Sequence, residues 1–211
     1  MTLDNFILVI PNLLSKIECE TFISCYSKIS NSFYERSYNT SLDRIDLSTA
    51  SYKEILPTFP EYELATEKMT IAIKKWVIHL EHFGLFSTTN LKKNLNFPHS
   101  IRLIKYEKGQ GIHPHVDYDD YHFASCTLNL NDTYDGGEFS FFNRKLDIKL
   151  HTGDALIFPN NFFYTHEVKE ISRGTRFSIN SFITSIPLQK IKAIKGFWKI
   201  EQLKENRIFR I

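Results

Sequence analysis

Cysteine is scarce in this chain: Cys19, Cys25 and Cys126 are the only three in 211 residues. So few thiols at irregular spacing exclude a disulfide framework. Cys19 and Cys25 fall near a predicted helix and read as small core residues. Long apolar runs are also missing, and no stretch reaches the ~18 residues of a membrane-spanning helix. The short apolar run at 6–10 follows Asp4 and has no basic residue ahead of it, which is not the pattern of a signal peptide. The expectation is an intracellular, cytoplasmic protein. A strong excess of one charge is absent too. Twenty-six Lys and Arg against 24 Asp and Glu give a net charge of +2, so no nucleic acid is expected as a partner.

What the chain has in quantity is aromatic: 18 Phe and 10 Tyr in a sequence that is 42% hydrophobic. This composition builds a packed core, and the length suits one domain over 1–211. Residues 5–10 read as a short strand broken by Pro11-Asn12. Ser15-Lys16-Ile17-Glu18 has capping-box spacing, and predicts a helix to about Lys28 with Ile17, Phe22, Ile23 and Tyr26 on its buried side. Residues 30–53 are polar and without period, which reads as a surface loop or a lid over a pocket. Pro60 opens a second helix over 61–83. Leu64, Met69, Ile73, Trp76, Val77, Leu80 and Phe83 form its apolar face, and His79 and His82 read as surface residues.

The texture changes at Pro98. Short apolar or alternating runs at 100–106, 123–130, 137–142, 146–150, 155–158, 162–168 and 175–183 are separated by turn residues. Many short strands at this spacing imply a sandwich or barrel, with the helices of 1–97 packed on one outer face. The tail, 188–211, carries seven Lys/Arg against two Glu, a charge of +5 that leaves −3 on the remainder. Ile191, Ile194, Phe197, Trp198, Ile200 and Leu203 within it could coat the core or a twin subunit; a membrane or anionic surface is the alternative.

Chemistry concentrates at Gly111-Ile112-His113-Pro114-His115-Val116-Asp117. On an extended segment, His115 and Asp117 project to one side. An imidazole and a carboxylate joined by a second imidazole make the facial triad that holds non-haem Fe(II) with open coordination positions. His166, 49 residues past Asp117, is the candidate third ligand, and Arg176 follows ten residues later, a side chain suited to clasping a carboxylate. His113 is a weaker rival ligand because no carboxylate stands two residues after it. Asp119, Asp120 and His122 read as a solvated loop beside the pocket, His99 and His151 as structural, and Arg173 as a turn charge.

The run 102–183 resembles the 2-oxoglutarate- and Fe(II)-dependent dioxygenases, in particular the prolyl 4-hydroxylase-like branch. Tyr106-Glu107-Lys108-Gly109-Gln110 resembles the lead-in to the metal triplet, and His115-Val116-Asp117 the triplet. Leu130-Asn131 with Gly136-Gly137-Glu138 is similar to the turn into the next strand. Gly153-Asp154 through Phe158-Pro159 is similar to the strand before the distal histidine. His166-Glu167-Val168 with Gly174-Thr175-Arg176-Phe177-Ser178 resembles the distal ligand and co-substrate anchor. The resemblance implies a double-stranded β-helix, a jelly-roll core over 98–187 with the N-terminal helices packed on one sheet. It implies Fe(II) on His115, Asp117 and His166, and 2-oxoglutarate on Arg176 with Ser178 and Tyr106. O2 would be the oxidant and ascorbate an accessory cofactor. Ile112 replaces a Tyr common in that branch, the Tyr-Leu-Asn of many members is Asn129-Leu130-Asn131, and Arg176 and Phe182 stand where collagen-type enzymes tend to have Lys and Trp. These departures leave the core mechanism better supported than a proline substrate, and they also bear on the residues surrounding the co-substrate pocket. The expected substrate is a peptidyl side chain, proline first. The alternatives are a small-molecule or free amino-acid hydroxylase and a non-catalytic jelly-roll binding module.

Overall fold

The computed structural model describes residues 1–29, 33–36, 49–117 and 122–185. In chain order the elements are β1 (Leu8–Ile10), α1 (Lys16–Lys28), β2 (Phe33–Arg36), β3 (Thr49–Glu54), α2 (Glu61–Glu81), α3 (Thr88–Asn94) and β4 (Phe97–Tyr106). They continue with β5 (Ile112–His115), β6 (His122–Asn129), β7 (Asp135–Gly136), β8 (Phe139–Phe141), β9 (Leu146–Ile148) and β10 (Ala155–Pro159). The last are β11 (His166–Val168), β12 (Ile171–Arg173) and β13 (Arg176–Thr184). Among the described residues one sheet has the order β1-β10-β6-β13-β4-β3-β2, and a smaller one has the order β5-β11-β8-β9. The two sheets face each other as a jelly-roll sandwich, with the helices on the outside of the larger one, as the sequence led us to expect.

Strand alternation decides what each face meets. Ile179 and Ile183 of β13, Leu128 of β6 and Leu103 of β4 join the helices in one core. Ile104, Tyr106, Leu156 and Phe158, on the opposite face, join Phe139, Phe141 and Val168 of the small sheet in a second core. Helix α2 buries Ala65, Met69, Ile73, Trp76, Val77 and Leu80 at helical spacing. Helix α1 is capped as its sequence demands: the Ser15 hydroxyl accepts from the Glu18 amide at 3.3 Å, and the Glu18 carboxylate accepts from the Ser15 amide at 2.8 Å.

Several local readings change. Ile17 is 75% exposed. The buried stripe of α1 runs through Cys19, Phe22 and Cys25, and Ile17 lies about 140° around the helix from Phe22. His79 is half-buried, its Nε2 2.7 Å from the Asn5 carbonyl, and the Trp76 indole donates to the Phe6 carbonyl at 2.8 Å. Both side chains tie the N-terminal segment to α2. Residues 3–6 form a 3-10 turn, so only part of the predicted first strand is a strand. The 162–168 run likewise splits into a 3-10 turn, Phe162–Tyr164, and β11. Helix α3 was not anticipated; it is short and polar, and the Ser87 hydroxyl caps it by accepting from the Asn90 amide. His122 opens β6 rather than sitting in a loop.

The polar stretch 30–53 is not all loop. Strands β2 and β3 pair and extend the large sheet beyond β4. The Lys53 ammonium secures them by donating to the carbonyls of Tyr26 and Ile29 at 2.7 and 2.8 Å. Edge strands form by pairing, without needing apolar alternation of their own. The remainder of that stretch, with the lid reading, lies outside the described residues. So do Asp119, Asp120 and the tail 188–211.

One turn locks the N-terminal segment to the sandwich. The Leu14 amide donates to the Gly153 carbonyl at 3.0 Å. Gly153 has φ +87°, and a Cβ there would sit 2.3 Å from the Leu14 carbonyl oxygen. Gly153→Ala should therefore destabilise the fold by about 1–3 kcal/mol or more. The check is a lower urea midpoint at unchanged slope.

Candidate active site

Two strands of the small sheet bring the distant histidines together. His115 and His166 are direct partners in the β5–β11 register, and their ring centroids are 4.4 Å apart. Gly111 permits the close approach of the two strands, since a Cβ there would lie 2.6 Å from the Val168 carbonyl oxygen. Asp117 lies just past β5. Its Oδ1 is 3.3 Å from His115 Nε2 and its Oδ2 is 3.6 Å from His166 Nε2. One donor atom from each of the three falls within 4.8 Å of the others, the single such group found among the described residues.

The donors are oriented from behind. His115 Nδ1 lies 2.7 Å from the His113 carbonyl, and His166 Nδ1 lies 3.0 Å from the Tyr164 carbonyl. A carbonyl can only accept, so each Nδ1 carries the proton and each Nε2 offers its lone pair. The Ser125 hydroxyl donates to Asp117 Oδ2, and the Asn160 side-chain amide donates to the Asp117 carbonyl at 3.2 Å. Both come from the large sheet's side, so the carboxylate is held across the sandwich. Burial pushes the Asp117 carboxyl upward, but the two imidazoles and Ser125 outweigh it and hold the group well below the usual carboxylate range. Burial is also the leading influence on His166, which drops to about 4 against the opposing pull of Asp117. At neutral pH this gives an anionic oxygen and an uncharged nitrogen, the forms that ligate a cation.

The same cavity has a second feature. Tyr106 and Ser178 line it with His115, Asp117 and His166. Arg176 is the direct register partner of Tyr106 and is fully buried. Its guanidinium carbon stands 5.0 Å from the Tyr106 ring and 5.1 Å from that of Phe139. Its Nε donates to Asn129 Oδ1 at 3.1 Å, an oxygen that also accepts from the Tyr134 hydroxyl at 3.2 Å. Nη1 and Nη2, the forked edge, have no partner among the described residues. A buried guanidinium with two unpaired donors is costly by itself. It is complementary to a planar carboxylate.

Five of the six residues singled out from sequence thus line one cavity, and the sixth, Arg176, is buried against Tyr106 and Phe139 of its wall. His113 is exposed and contributes its carbonyl rather than its ring. Ser125, Asn129, Tyr134 and Asn160 were missed. Nothing short-range distinguishes them from other polar strand residues, although Asn129 stands in a recognisable Asn129-Leu130-Asn131 run. His99 is not isolated: its Nδ1 is 3.1 Å from His122 Nε2, and His122 stacks on Phe182 at 4.6 Å. Arg173 pairs with Asp135 at 2.6 Å.

Residues 101–184, which carry this entire constellation, match the model of the 2OG-Fe(II) oxygenase superfamily. That stretch is a 2OG-Fe(II) oxygenase domain within the chain. The oxygenase is therefore a 2-oxoglutarate- and Fe(II)-dependent dioxygenase, and its family implies Fe(II), 2-oxoglutarate and O2. The N2O donor set and the unpaired guanidinium fork fit the first two. A comparison with curated proteins finds no match. Among solved structures, the oxygenase is similar to a prolyl hydroxylase from Trichoplax adhaerens in complex with a hypoxia inducible factor peptide fragment. That match has 16% identity and a TM-score of 0.65, and covers 92% of this chain and 88% of that one. A viral collagen prolyl hydroxylase from Paramecium Bursaria Chlorella virus-1 matches with 18% identity and a TM-score of 0.59, covering 85% and 95%. A Pseudomonas putida prolyl-4-hydroxylase gives 18% and 0.59, covering 84% and 92%. At these identities the likeness is one of fold.

Proposed function

We propose that the oxygenase hydroxylates a C–H bond of a peptidyl side chain, proline first, with His115, Asp117 and His166 holding Fe(II) and Arg176 anchoring 2-oxoglutarate. One observation carries the site assignment: three donor atoms gathered in one cavity, with a buried guanidinium whose two Nη atoms are unpaired standing against Tyr106 and Phe139 of that cavity's wall. When bound, Fe(II) and 2-oxoglutarate supply with O2 the oxidising power that turns C–H into C–OH, releasing succinate and CO2. The protein's own residues do the positioning. Arg176 takes the far carboxylate of the keto-acid through Nη1 and Nη2, and Ser178 and Tyr106 flank it. The Tyr106 and Phe139 rings keep water from that ion pair, which strengthens it. The carbonyls of His113 and Tyr164 fix the two imidazoles, and Ser125 fixes the aspartate. Ascorbate would serve as an accessory reductant.

The peptidyl reading draws its support from the substrates named for the structural neighbours. A free amino acid or other small molecule is the second reading, favoured by the narrowness of the cavity beside the donors, about 30 Å³. Mass spectrometry of proline-containing peptides separates the two. The expected result is a gain of one oxygen that requires both 2-oxoglutarate and Fe(II). Oxygen transfer to free proline but to no peptide would establish the second reading.

Ser125→Ala provides a finer test of the metal assignment. Losing the hydroxyl that orients Asp117 should weaken Mn(II) or anaerobic Fe(II) binding by about 10-fold, within the range for outer ligand-orienting groups. Calorimetric titration checks it, and unchanged affinity would remove Ser125 from that role.

A further inference from the structure

The cavity that gathers the donors has a polar wall on its other side. His115 and His166 enter from the small sheet, while Ser125 and Thr127 of β6 and Ser178 and Asn180 of β13 enter from the large one. Asn180 is the register partner of Thr127, and Ser125 and Ser178 each stand two residues along, so the four share one face. Ser125 donates to Asp117, and Ser178 flanks the keto-acid anchor. Of the four, Asn180 alone carries a fully buried polar atom, Oδ1, with no partner among the described residues. A native structure rarely leaves such an acceptor unmet, and its presence calls for a partner from outside the chain.

Three observations narrow the choice of partner. Asn180 stands four residues beyond Arg176 on the same face of β13, about 13 Å along the strand. It is therefore at the opposite end of the cavity from the keto-acid anchor. The space that it shares with the three donors is about 30 Å³, room for one or two waters. An amide oxygen only accepts, so the partner must be a donor. A water on a divalent cation is a strengthened donor, because the cation draws charge from its O–H bonds. Three protein ligands leave coordination positions for such a water.

We infer that Asn180 is a positioning residue whose Oδ1 accepts a hydrogen bond from a water on the open side of the cation held by His115, Asp117 and His166. It slows that water's departure without touching the cation, and so sets how readily the position is vacated. This role rests on the metal assignment proposed above.

The test uses the full-length protein loaded with Mn(II), saturated with 2-oxoglutarate and placed in water labelled with the magnetic oxygen isotope. Temperature-dependent relaxation of the labelled oxygen reads the lifetime of water on Mn(II), and calorimetric titration reads the Mn(II) affinity. Asn180→Leu removes the acceptor at nearly constant volume. It should shorten the lifetime by about 2- to 10-fold, the worth of one hydrogen bond, and leave Mn(II) affinity unchanged. Asn180→Asp keeps an acceptor oxygen in place and should preserve or lengthen the lifetime. Asn180→Ala repeats the comparison where near-UV circular dichroism shows that leucine is not accommodated. An unchanged lifetime without the acceptor would overturn the role of Asn180 while the metal assignment stands. Shortening in Asn180→Asp as well would also overturn it, and mark Asn180 as a packing residue. Failure of the wild type to take up Mn(II) would overturn the metal assignment and this role with it.

Discussion

Asp117→Ala should abolish coupled succinate formation and leave a folded protein that no longer retains Fe(II). Asp117 is the only anion in the donor cluster, and both imidazoles aim Nε2 at its two oxygens. Removing it leaves two neutral nitrogens, too few and without charge to hold a hard divalent cation against water. The loss in metal affinity should exceed the roughly 100-fold that marks the upper end for outer-group changes. The fold should survive, because Asp117 lies beyond the end of β5 and belongs to neither apolar core. Asp117→Asn preserves the shape but drops the charge, and should fail on the same measure. Anaerobic Fe(II) titration and 2-oxoglutarate turnover are the measurements. Full turnover in Asp117→Ala would end the metal assignment.

Arg176→Met should raise the 2-oxoglutarate requirement by about 100-fold or more, since two charge-assisted hydrogen bonds at roughly 1.5–3 kcal/mol each go unmade. The ligand-free variant should behave differently from an ordinary core substitution. Wild-type Arg176 is buried with Nη1 and Nη2 unpaired, so an apolar replacement removes a desolvated charge as well as one bond to Asn129. Its melting temperature without ligand should therefore equal or exceed that of the wild type. The upward shift that excess 2-oxoglutarate produces in the wild type should vanish. Arg176→Lys should recover part of the binding, because an ammonium restores the charge without the fork. An unchanged 2-oxoglutarate requirement in Arg176→Met would take Arg176 out of the anchoring role.

The residues that reading in one dimension identified share a property: their signal is local. The Ser15–Glu18 cap lies within one helical turn, the α2 stripe follows a period of 3.6, and His115-Val116-Asp117 is a triplet. Elements without a local signal were lost. Strands β2 and β3 are polar, and become strands by pairing onto β4. Helix α3 has seven residues and buries none of them. Ile17 was assigned inward on hydrophobicity alone, and the helix's phase turned it outward.

The amino-acid sequence alone determined which side chains could do the chemistry, in what order they occur, and that short strands would build a sandwich around them. Which polar strand residues serve those side chains was decided by the tertiary structure. Register across 51 residues makes His115 and His166 neighbours, the sheet-to-sheet crossing sets Ser125 behind Asp117, and Asn129 satisfies Arg176 at Nε while leaving its fork open. Hydrogen-bond partners of this kind depend on pairings between segments far apart along the chain, and no short-range pattern in a polypeptide encodes them.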